Sequence, residues 1–165
     1  MSLFENDEYR WRETFFVMMK GDARPTGDSV QSTLKQLNRR YELSDPRTNG
    51  AGELESMTLQ SPDDNAAMDI SYIEGEEVTD QIAEMIDDMK RSASNDTERG
   101  LVRRLPECDA RLEVYHFEKL TFIGGDDEFD EDEFLDPGSL LIVLEKLAEL
   151  CHGVPVDPQT GSVVT

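Results

Sequence analysis

Glu13-Thr14-Phe15-Phe16-Val17-Met18-Met19 is the stretch on which the fold turns. It is short, apolar and β-prone, and it lacks polar alternation. Such a run predicts a central strand buried on both faces. Outward from it, residues 20–27 contain Gly, Pro and Asp and predict a turn. A helix should follow, capped by Asp28 or Ser29, because Val30, Leu34, Leu37 and Tyr41 fall on one helical stripe. That helix should stop before Asp45-Pro46, with residues 49–52 in a loop.

Residues 54–60 and 67–74 predict a β-hairpin around Ser61-Pro62-Asp63-Asp64-Asn65, whose residues suit a turn and not a strand. Met68, Ile70 and Tyr72 alternate onto one face. After Gly75, Val78, Ile82, Met85 and Met89 repeat the helical spacing, and a short helix over residues 97–105 should end at Pro106. Residues 111–119 alternate again as a last strand. The order over residues 13–118 is therefore strand, helix, strand, strand, helix, strand. This predicts an α+β, ferredoxin-like βαββαβ sandwich with both long helices on one sheet face.

Residues 121–165 extend this plan. Residues 126–136 hold eight carboxylates and predict a solvated loop. Asp136, Pro137 and Gly153 bracket a helix whose apolar side is Leu140, Leu141, Leu144, Leu147 and Cys151. Residues 154–156 and 162–164 predict a terminal β-hairpin. The expected organisation is one domain: a tail (1–12), the ferredoxin-like core (13–120), an acidic loop (121–135), and a helix and hairpin packing on the core (136–165). A sheet with helices on one side leaves its other face to the third helix, to a second copy in a homodimer, or to a partner.

Charge narrows the partners. The 165 residues include 37 acids and 16 bases, for a net charge of −21. Residues 121–165 alone carry eleven acids and one base. Such a field opposes phosphate backbones and anionic membranes and favours a basic protein partner. Arg39-Arg40 and Arg103-Arg104 are isolated pairs, not a nucleic-acid-binding stripe. No apolar run approaches the roughly 18 residues of a membrane span. Cys108 and Cys151 are the only cysteines and form no CxxC, so reduced thiols in a cytoplasmic protein are the expectation.

Motifs for chemistry are sparse. Asp126, Glu128, Asp130 and Asp132 share the spacing of the first EF-hand ligands and make a candidate Ca²⁺ site. Glu131 replaces the turn glycine, and Pro137 stands where the bidentate carboxylate belongs. Lys20, Arg24 and Gly27 form a candidate anion site before the first helix, opposed by Asp22 and Asp28. His116 and His152 have no ligand or base partner at motif spacing and read as structural. With no nucleophile elbow or triad order, no catalytic residue and no cofactor site are assigned.

Two resemblances follow from quoted residues. Gly124-Gly125-Asp126-Asp127-Glu128-Phe129 resembles the signature of diguanylate cyclases. Here an extra Asp splits it, it follows the fourth strand of the plan instead of lying on a central hairpin, and the upstream motifs of that family have no match. The Leu-rich helix followed by Gly153-Val154 and Asp157-Pro158, ending at Gly161, resembles the tail of small bacterial proteins. Some of those are immunity-type proteins that neutralise toxins. This resemblance spans about 25 residues and assigns no functional side chain. The expected function is a non-enzymatic acidic protein-interaction module, inhibitor or immunity-like. The alternative is a small-ligand-binding regulatory domain.

Overall fold

In the computed structural model, which describes residues 3–120 and 138–164, the apolar stretch is the C-terminal half of β1 (Tyr9–Met19). Val17, Met18 and Met19 are at most 1% exposed, and the two sets of alternate side chains enter different cores. The strand starts earlier than the sequence suggests. Tyr9 and Arg10 already pair with Lys119 and Glu118, and a bulge lies between Trp11 and Glu13. Before it, a 3-10 turn (Leu3–Glu5) tucks Leu3 against Ala67 and Phe117.

Helix α1 (Gly27–Leu37) is capped by Thr26, not by Asp28 or Ser29. The extended Thr26 accepts the Ser29 amide at 3.1 Å, so the helix begins at Gly27, ahead of both expected caps. It ends at Leu37. Tyr41 leaves the helix yet stays buried, because the chain turns back under Lys35, whose Nζ donates to the Tyr41 carbonyl. An unexpected strand follows, β2 (Glu42–Thr48), paired with β3 (Leu54–Ser61). Then come a Pro62–Asp64 3-10 turn closed by left-handed Asn65, β4 (Ala66–Glu74), α2 (Glu76–Ser92), α3 (Asp96–Arg104) and β5 (Ala110–Lys119). The chain ends in α4 (Gly138–Cys151), β6 (Val154–Asp157) and β7 (Ser162–Val163).

The seven strands form one open antiparallel sheet in the order β2-β3-β4-β5-β1-β6-β7. The α+β class is as the sequence implies, but the ferredoxin-like arrangement is not. That arrangement would seat β1 between β4 and β5. Instead β4 pairs directly with β5 from Ala66↔Glu118 to Glu74↔Ala110, and β1 lies outside β5. Element order and periodicity define faces, not neighbours, so this pairing left no mark in the pattern.

The helices also lie on both faces. On the first, α1 and α4 bury Val30, Leu34, Leu140, Val143, Leu144 and Leu147 against Phe15, Val17, Leu59, Met68, Ile70 and Leu112. On the second, α2 and α3 bury Val78, Ile82, Met89 and Val102 against Phe16, Met18, Val154, Val156 and Val163. A helical stripe says that one side of a helix is buried, but not under which sheet face. Both faces of β1 are apolar, so each needs a cover.

Gly153 marks the tightest approach. Helix α4 ends with His152 in the left-handed region, while Gly153 donates to the Ala148 carbonyl at 2.9 Å. A Cβ on Gly153 would lie 2.6 Å from Val17 Cγ1 and 2.7 Å from the Met18 carbonyl oxygen. Gly153→Ala should therefore destabilise the protein by about 1–3 kcal/mol, the usual range for overpacking a core, and urea denaturation measures this. Leu34→Ala, a cavity change at a fully buried position, should cost about 2–5 kcal/mol in the same assay.

Candidate functional site

The second sheet face is apolar over β1, β6 and β7, and at Ala67, Ile73 and Phe117 of β4 and β5. Over β2 to β5 its side chains are mostly polar, and strand register sets them in rows. One row runs Ser44, Thr58, Asp69, Tyr115, Thr14, and the next Arg47, Ser56, Ser71, Glu113, Phe16. Helix α2 covers the inner end of this surface. There Arg111, 5% exposed, donates through Nε and Nη2 to Glu113 Oε1 at 3.1 and 2.7 Å and also reaches Gln81 of α2. Its guanidinium stacks 4.5 Å above the Phe16 ring.

The network continues outward. Tyr115 donates its hydroxyl to the other oxygen of Glu113. Burial, then the bond to Glu113 and its negative charge, push the Tyr115 phenol up to about 12, against a smaller opposing effect of Arg111. Asp69 is fixed as firmly. Its Oδ1 accepts from Thr58 Oγ1 at 2.7 Å and its Oδ2 from the Leu3 amide at 3.0 Å, so the carboxylate ties the N-terminal turn to the sheet. Phe4 then sits edge-on to Tyr115 and Phe117, with ring centroids 5.4 and 4.8 Å away.

Beyond α2 these groups line an open trough of about 370 Å³. Ser56, Thr58, Asp69, Ser71 and Tyr115 lie along the sheet, bounded by Phe4 and Glu5 and by Asp45 and Arg47 of β2. Among the described residues, three carboxylates and one guanidinium belong to this lining, which is rich in hydrogen-bond acceptors. The arrangement is suited to holding a ligand by side-chain hydrogen bonds and charge.

A second depression wraps the β6–β7 edge of the sheet between α3 and α4. It has a volume of about 610 Å³ and is walled by Leu101, Leu141, Ile142, Ala148, Pro155 and Val164. Leu141 and Ile142 are 39% and 48% exposed. Thr97, Arg104, Glu145, Glu149 and His152 supply its polar rim.

Lys20, Arg24 and Gly27, singled out in the sequence, line neither depression. Arg24 donates twice to the Leu54 carbonyl, at 3.0 and 2.8 Å, and stacks 4.0 Å over Tyr72. Lys20 faces Glu107 at 3.8 Å, while the Gly27 amide donates to Gly52. Asp126, Glu128, Asp130 and Asp132 lie outside the described residues. Among the described residues, no group of three His, Cys, Asp or Glu side chains is placed to hold a metal ion. His116 pairs with Glu13 at 3.2 Å. Cys108 and Cys151 are free, buried thiols in cores on opposite sides of the sheet.

Sequence reasoning missed Thr58, Asp69, Ser71 and Tyr115. The usable signal was their alternation: opposite Met68 and Ile70, strand β4 carries Asp69 and Ser71 instead of a second apolar set.

Burial pushes the Cys108 thiol up to about 11 and the Cys151 thiol to about 12. A raised pKa means the folded state holds the proton more tightly than the unfolded chain. The stability this contributes is complete below about pH 9 and is lost as pH rises through 11 to 12. The urea midpoint should accordingly fall above pH 9, and Cys108→Ser combined with Cys151→Ala should flatten that fall. At neutral pH a thiol-specific chromogen should react slowly with the native protein and rapidly in urea.

Compared with protein-family models, with curated proteins and with solved structures, the chain matches none of them.

Proposed function

We propose that the chain is a non-enzymatic acidic protein-interaction module, of the inhibitor or immunity type, which docks a basic partner on the polar half of its second sheet face. The observation that carries this reading is that the part of a sheet face beyond α2 lacks an α-helix above it and is shaped into a bounded, acceptor-rich trough. The chain's net charge of −21 supports it, since a field of that sign accelerates encounter with a basic surface. A homodimer is the less favoured partner, because α1 and α4 already cover the first face. The two buried, protonated thiols fit a reducing compartment such as the cytoplasm. Among the described residues, no helix is long and apolar enough to cross a membrane.

A small-ligand regulatory role is the second reading. The groove between α3 and α4 favours it, being apolar, with a few polar rim groups and a volume in the range of small-molecule sites.

The two readings separate by experiment. A partner captured on immobilised protein should be lost when Ser56→Arg and Ser71→Arg place positive charge in the trough. Its affinity should fall about tenfold or more from low to high salt. Retention by the double variant, or affinity independent of salt, would count decisively against trough docking. Under the second reading, apolar small molecules should raise the Tm of the wild type but not of Ile142→Trp, which obstructs the groove from an exposed position.

A further inference from the structure

We infer that the trough takes the guanidinium or ammonium group of a basic side chain, presented by an extended segment of a protein partner and held among Asp69, Glu5, Tyr115 and Phe4. The inference rests on the docking reading above and names what the site recognises. Hydrogen-bond capacity gives the first reason. An ionised carboxylate offers about four acceptor sites. The Asp69 oxygens each accept one bond, from Thr58 and from the Leu3 amide. Each oxygen retains acceptor capacity, and the two existing bonds hold the carboxylate still at the trough.

Tyr115 commits its proton to Glu113, so its oxygen meets a ligand as an acceptor. The Ser56 and Ser71 hydroxyls can also accept. Among the described residues, Arg47 is the one cationic side chain of the lining, while Arg111 is taken up by Glu113 and Gln81 beneath α2. Acceptors thus outnumber fixed donors, and a ligand that completes the set must bring donors and positive charge. Guanidinium brings five N–H donors and ammonium three.

Aromatic geometry gives the second reason. Phe4 is 59% exposed, meets Tyr115 and Phe117 in edge-to-face geometry, and lines the trough with Glu5 and Asp69. A cation within about 6 Å of such a ring gains from its quadrupole as well as from the carboxylates. An anionic ligand would meet Glu5 and Asp69.

The test titrates ¹⁵N-labelled protein with an acetylated, amidated Gly-Arg-Gly-Arg-Gly peptide and with its lysine, citrulline and glutamate counterparts. The arginine and lysine peptides should perturb the amides of Ser56, Thr58, Asp69, Ser71 and Tyr115. Citrulline, which keeps the shape without the charge, and glutamate should not. Glu5 and Arg47 are exposed, so their variants leave the fold intact. Glu5→Lys should weaken binding by about tenfold and Arg47→Glu should tighten it severalfold. The same perturbations should persist when Asp126, Glu128, Asp130 and Asp132 are neutralised to Asn or Gln. Equal binding of the citrulline peptide, or perturbations that vanish with those four carboxylates, would overturn the inference. Silent peptides combined with a partner still displaced by Ser56→Arg and Ser71→Arg would sink the cation subsite and leave the docking reading standing. If that partner too is retained, both fall.

Discussion

The constraint on which the structure depends is the double burial of β1. Phe15, Val17 and Met19 face one core and Phe16 and Met18 the other, and each side chain contributes roughly 1.5–3 kcal/mol before ordering entropy is subtracted. A strand with two apolar faces requires helices above and below it. Helices α1 and α4 meet the first requirement, α2 and α3 the second. The second requirement shapes the rest of that face. To cover Phe16 and Met18, α2 and α3 pack over β1, β6 and β7, and the surface of β2 to β4 beyond Ile73 has no α-helix above it.

What that withdrawal uncovers is polar, and the atoms buried beneath it are satisfied. Among the described residues, every buried side-chain nitrogen or oxygen has a hydrogen-bond partner. Thr58 is paired with Asp69, and the Arg111–Glu113 pair carries charges that would be costly if stranded. Arg111 sits at the boundary. It stacks on Phe16, which belongs to the apolar half, and anchors Glu113, which holds Tyr115 of the polar half. The trough is therefore positioned by the same residues that close the second core.

Much of the local structure was legible in the sequence, because local structure is written in periodicity. The stripes of α1 and α2, the β3–β4 turn at Pro62 and Asn65, and the breaks around α3 each rest on residues close in the chain. Strand order was not legible, since direct β4–β5 pairing depends on a contact across two intervening helices. Strand β2 was also hidden. It is exposed along most of its length, contains Pro46, and owes its existence to pairing with β3 rather than to apolar alternation. The trough was the least visible feature. Ser56, Thr58, Asp69 and Ser71 look like ordinary solvent-side residues of a hairpin until register aligns them with Tyr115.

The edges of the sheet bear on how such a surface would work. An open strand edge is a common place for another chain to add a strand. At one edge, β2 carries Pro46, a left-handed Asp45 and a register irregularity between Ser44 and Arg47. At the other, β7 is two residues long. Each device spoils the even row of amides and carbonyls that strand addition requires. Main-chain recognition is thereby discouraged at both ends of the sheet, while the uncovered half of one face offers hydroxyls, carboxylates and aromatic rings. For the docking proposed above, a sheet that blunts its edges and opens part of a face leaves recognition to side chains, and a chain charge of −21 favours basic ones.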